Sequence, residues 1–183
     1  MTITSVRKFP KAKSSSFTLV ELLVVISIIG LLAGLGLPAI NGAMKAGKKA
    51  EVSAMAESIK TAVNAFYAEY SAYPTNSSGQ CYTNTSLEFL YLISTTTNTN
   101  GGNYRGIAFL EVPPKFTNAT GIVTPKGFGT GQSNFFILID TGGLGYVNPK
   151  LVSTTLTNSN VASSVAVWAM EKPTNQTAVG TFK

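Results

Sequence analysis

Residues 14 to 38 read SSSFTLVELLVVISIIGLLAGLGLP, and how Glu21 sits in that run decides the fold. From Phe17 to Ile40 there are 24 residues, and Glu21 is the only charge among them. At about 1.5 Å of rise per residue, that run makes a helix of roughly 36 Å, enough to cross a hydrocarbon core of about 30 Å. A secretory signal would have a shorter apolar region followed by a small-residue cleavage site. Here the order is reversed: basic residues come first, then Ser14, Ser15 and Ser16, then the apolar helix. The pattern predicts a membrane anchor.

Charge supports this organisation and narrows function. The net charge is +6, but Arg7, Lys8, Lys11 and Lys13 supply four of the positive charges, with no acid near them. Without those four, ten basic residues face eight acidic ones, so a general nucleic-acid surface is not expected. The basic start predicts a cytoplasmic N-terminus and an exported C-terminal portion, although Lys45, Lys48 and Lys49 follow the span. The chain has no His, which removes imidazole catalysis and ligation. Cys81 is its only cysteine, so neither an intrachain disulfide nor a thiolate zinc site can form. No Gly-rich phosphate loop is present. The reading is not an enzyme, with no cofactor.

A carboxylate inside a membrane helix costs about 2.5–3.5 kcal/mol on insertion scales and marks a function or a partner. Glu21 either snorkels to headgroups or meets a cation from another chain. A cut between Ser16 and Phe17 would create that cation, the α-amino group of Phe17. Paired between neighbours, amine and carboxylate would fix an axial stagger between subunits.

The stretch Phe17-Thr18-Leu19-Val20-Glu21-Leu22-Leu23-Val24-Val25-Ile26 resembles the class III signal of type IV pilins and type II secretion pseudopilins. The resemblance implies that prepilin peptidase removes the leader, residues 1–16, between Ser16 and Phe17. It further implies N-methylation of Phe17 and a role for Glu21 in assembly into a helical homo-oligomeric filament. The family generally has Gly before the cut, where this chain has Ser16. An inner-membrane assembly platform and minor pseudopilins are the further partners implied. The implied location is the bacterial inner membrane, single-pass with the head periplasmic, and then the filament.

Gly30 and Gly34 form a GxxxG pair, followed by Gly36 and Pro38. These permit close helix approach, or they weaken the helix, since Pro38 removes a donor and glycine favours the unfolded chain. In filaments of the family the corresponding segment melts locally, so Gly34, Gly36 and Pro38 are the expected weak point.

Past residue 40, Val52, Met55, Ile59, Val63, Phe66 and Tyr70 recur at steps of three and four. That spacing predicts an amphipathic helix over 41–74, ended by Tyr73-Pro74. Residues 75–183 form the remaining head. Ser86 is placed to cap a short helix. Thr95 to Asn103 reads as an exposed loop, and Ile107 to Val112 as an edge element closed by Pro113-Pro114. Asn134–Asp140 and Ser164–Met170 read as strands. A hairpin partner is expected at Leu144–Val147 across Thr141-Gly142-Gly143. The sum is an α+β fold, a long helix carrying a small antiparallel sheet, the lollipop form that the resemblance implies.

The order of parts in the head resembles major pseudopilins, so a type II secretion pseudopilin is the first reading. A surface pilin for adhesion, motility or DNA uptake comes second, and a non-polymerising anchored binding domain third. Many major pseudopilins hold calcium in an acidic loop. Here only Asp140 precedes the Gly-rich turn, which argues against calcium and for a turn residue bonding its own backbone.

Overall fold

A computed structural model describes residues 17–94, 102–129, 131–152, 156, 160–171 and 177–182, with backbone alone at position 38. Its long helix α1 runs Leu19–Tyr70. The chain divides into two compact units, Met1–Ala43 and Met44–Lys183. They are built on opposite principles.

In the first unit the helix buries nothing. Every large apolar side chain described from Phe17 to Ile40 is exposed, with Leu31 at 66% and Leu35 at 72%. Backbone hydrogen bonding and apolar composition together make the helix, and among the described residues it has no packing partner.

In the second unit α1 is amphipathic, as its spacing predicts. Val52, Met55, Ile59, Val63 and Phe66 are buried on one face, each with 5% exposure or less, and Tyr70 packs partly buried beside them. Burying each large side chain contributes about 1.5–3 kcal/mol. Against this face lie Phe89, Leu92 and Ile93 of helix α2 (Leu87–Ser94) and the inward residues of a three-stranded sheet. Phe66 also touches Phe109, with ring centroids 5.4 Å apart.

The helix stops earlier than Tyr73-Pro74 predicts. Ser71 turns left-handed at φ +52° while its N–H still donates to Tyr67 O at 2.8 Å. One residue outside the helical region ends the run, and Pro74 then bars its resumption. Ser86 begins α2 as expected, its Oγ accepting from Phe89 N at 3.4 Å.

The three-stranded sheet has the order β3-β4-β5, all antiparallel, with β3 at Phe136–Ile139, β4 at Val165–Met170 and β5 at Ala178–Gly180. Five of the six β4 residues are buried. Val165, Val167 and Ala169 join the core against α1 and α2. Ala166 and Trp168 face a second cluster with Val147 and Leu156. Covering both faces explains why "VAVWAM" is an unbroken apolar run rather than an alternating one.

Leu144–Val147 is not the hairpin partner of β3. The neighbour of β3 is β4, in the register Phe136↔Trp168 to Ile139↔Val165, with the Phe136 and Trp168 rings stacked at 5.5 Å. The Asp140 carboxylate captures the N–H groups of Leu144 and Gly145, at 3.1 and 2.7 Å, donors that the expected turn would have left for the ladder. Val147 instead forms an isolated bridge with Val161.

Ile107–Val112 is not a strand either. Phe109 and Leu110 both donate to Ile93 O at the end of α2, and a 3-10 turn follows at Pro114–Phe116. A small unpredicted hairpin comes next, β1 (Thr117–Asn118) with β2 (Gly121–Ile122). Gly121, at φ +125°, passes so close to the Thr85–Ser86 backbone that a Cβ there would lie 2.3 Å from it. Of the predicted loop Thr95–Asn103, residues 95–101 lie outside the described residues. Asn103 itself is fully buried, contrary to an exposed loop, and accepts from Tyr70 Oη at 2.8 Å while donating to Leu92 O at 2.7 Å. The fold is α+β, a long N-terminal helix packed against small antiparallel sheets.

Candidate assembly site

Thr18 and Glu21 close the start of α1 together. Thr18 Oγ1 accepts from Glu21 N at 3.2 Å, and Glu21 Oε2 accepts from Thr18 N at 2.8 Å and from Thr18 Oγ1 at 2.6 Å. This is a capping box, Thr at the N-cap and Glu three residues on, each satisfying an amide that the helix start leaves open. The negative charge also lies at the positive end of the helix dipole. From the sequence alone Glu21 reads as a snorkelling or inter-chain group, and Thr18 carries no role. The signal was present in Thr18-Leu19-Val20-Glu21, a Thr-x-x-Glu spacing directly before an apolar run.

The box uses Oε2. Oε1 has no hydrogen-bond partner among the described residues, so one carboxylate oxygen is left for a cation. Phe17 is 73% exposed, one residue before the cap. Its amine, once freed, would arise beside the pair. Ser16 lies outside the described residues. Further along, Ser27 Oγ donates to Leu23 O at 2.7 Å, which satisfies the other polar group of the run within the helix.

Gly34, Gly36 and position 38 lie on the same helix, about three and a half turns and more from Glu21, and α1 passes through them unbroken. A Cβ on Gly30, Gly34 or Gly36 would meet nothing within 4 Å. Each helix-interior glycine costs about 0.5–1 kcal/mol relative to Ala, and no close approach within the chain offsets that.

In the head, the backbone N–H groups around its turn hold Asp140 below the ordinary carboxylate pKa, that of Leu144 first. Among the described residues no group of three or more His, Cys, Asp or Glu side chains could hold a metal ion. Cys81 is half-buried, and burial raises its thiol pKa.

Comparison with known proteins bears on the N-terminal segment. Residues 11–37 match the prokaryotic N-terminal methylation motif, the type IV prepilin signal. The chain is 38% identical over 60 residues to a fimbrial protein of Neisseria meningitidis, covering 33% of this chain and 35% of that protein. A type IV major pilin protein PilE1 of Neisseria gonorrhoeae is equally identical over 60 residues, 36% of its length. The similarity thus spans about a third of the curated relatives it matches. Over that stretch the chain is homologous to type IV pilins. No solved structure matches it.

Proposed function

We propose that this chain is a structural subunit of a type IV pilus-like filament. It enters the membrane through residues 17–40, is cut between Ser16 and Phe17 by prepilin peptidase and is methylated at Phe17. An inner-membrane platform then moves it into a helical homopolymer in which the apolar helices cover one another. Glu21 sets register there through the Phe17 amine, and Gly34, Gly36 and Pro38 supply the segment that yields during assembly. The subunit carries out no catalysis and needs no cofactor. The observation that carries this reading is the row of exposed apolar side chains from Phe17 to Ile40, opened by a capped start with one charged group.

Two forms of the filament each have support. The names of the matched relatives, fimbrial and major pilin proteins, favour a surface pilus. The order of parts after residue 73 favours a type II secretion pseudopilus, built with minor pseudopilins. Mass spectrometry of the N-terminal peptide tests both. Methylated Phe17 in sheared surface material supports the surface pilus, and the same peptide confined to membranes supports the pseudopilus. An intact leader in both fractions overturns the processing step and returns the chain to an anchored, non-polymerising domain.

A further inference from the structure

The second unit neutralises some of its lysines and leaves others. Lys49 Nζ lies 2.8 Å from Glu171, and Lys115 Nζ lies 3.4 Å from Glu51. Lys48 pairs with no carboxylate among the described residues. It donates to Gly127 O at 3.4 Å, a contact that brings the loop carrying exposed Lys126 beside α1. Gly127 is left-handed at φ +79°, and a Cβ there would lie 2.5 Å from Lys48 Nζ, so the amine lies directly against the loop. Lys45 is exposed one turn before Lys48, on the same side of the helix, with neither ion pair nor hydrogen bond among the described residues. Glu51 and Glu171 are the nearby carboxylates, and both are already engaged.

Like charges gathered on one face repel, so the arrangement calls for an anion from outside. Lys45 and Lys48 follow Ile40 by five and eight residues. The headgroup zone extends the bilayer by roughly 5–8 Å beyond the hydrocarbon on each side, the unengaged stem of Lys45 can reach back toward it, and Lys48, held at Gly127 O, acts on it across about a Debye length. We infer that Lys45, Lys48 and Lys126 form a basic face that holds the head against anionic phospholipid headgroups while the subunit resides in the bilayer. The inference rests on the membrane-anchored reading above. A second copy of the chain is the competing occupant, since Glu57 and Glu111 are exposed and in no ion pair among the described residues, and the closeness of Lys45 to the apolar run is what favours the lipid surface.

The test reconstitutes the full chain into vesicles of phosphatidylcholine alone and of phosphatidylcholine with phosphatidylglycerol. A water-soluble acetylating reagent then reports each lysine by peptide mass spectrometry, with Lys60 and Lys150 as internal references. Each lysine near an anionic surface strengthens attachment by about fivefold. Lys45, Lys48 and Lys126 should therefore react about fivefold more slowly in the anionic vesicles, high salt should abolish the difference, and the references should not change. Equal rates in the two lipids overturn the inference. Protection seen only in assembled filaments also overturns it and gives the face to a neighbouring subunit. A chain that floats with neither vesicle defeats the membrane reading itself, and the inference with it.

Discussion

Glu21 Oε2 accepts two hydrogen bonds from Thr18, from its amide and from its hydroxyl, and this fixes where the only charge of the apolar run points. One side chain thus closes the helix and, in the proposed filament, would also meet a cation. Substitution separates the two roles. Thr18→Ala removes the cap, worth about 1 kcal/mol, and leaves the carboxylate charged. It should lower helix stability modestly and still permit filaments. Glu21→Ala should leave the chain inserted and block its incorporation, measured as the ratio of filamentous to membrane-bound subunit. Intact filaments from Glu21→Ala would sink the register mechanism.

Processing can be tested at the preceding residue. Ser16→Gly should preserve or speed removal of the leader, followed by pulse labelling and gel mobility. Slower cleavage would contradict the placement of the cut.

Thr85 is fully buried and stitches three segments together. Its Oγ1 donates to Ile122 O at 2.6 Å and accepts from Phe135 N at 2.8 Å, while Ile122 N donates to its carbonyl at 3.0 Å. Thr85→Val keeps the shape and strands the buried Phe135 N–H, while Ile122 O keeps only the longer contact from Asn134 Nδ2 at 3.3 Å, at a cost of about 1–3 kcal/mol. Tm should fall by roughly 2–4 °C for each kcal/mol lost, and Thr85→Ser should recover most of it. A Val variant melting with the parent protein would show that these bonds add nothing net.

Asp140 sets an acid limit. Its folded pKa is depressed by the N–H groups of its turn, so its contribution is present above the ordinary value of 3.8. The contribution is lost as pH falls through the lower folded value. Thermal melts from neutral to strongly acidic pH should show Asp140→Asn flattening part of the acid-side decline. An unchanged slope would mean the turn forms without the charge. In the same melts, calcium or a chelator should leave Tm where it was.

Local periodicity made much of this molecule legible, and long-range pairing hid the rest. The stripe from Val52 to Phe66 could be read because a helix repeats its buried face every three or four residues. "VAVWAM" and "FILID" were readable as strands, but not as partners. Nothing in either run says that β3 would pass over the nearby Leu144–Val147 segment for one some 25 residues on, with the Thr83–Thr85 segment on its other edge and Asp140 holding the Leu144 and Gly145 amides in a turn. Asn103 was hidden for a similar reason, since a polar residue in a Thr/Asn/Gly-rich run looks like any other loop residue until Tyr70, Leu92 and Ile107 surround it. At the assembly site, Glu21 was conspicuous by its charge, and Thr18 was overlooked because its work is local and quiet.

Both side chains that close α1, Thr18 and Glu21, lie on the far side of the Ser16–Phe17 bond from the leader. Removing the leader at that bond takes away no part of the cap. If the proposed cut is made, the same two side chains close α1 before and after it, so the proposed processing would change the chemistry at one end of the chain without requiring it to fold again.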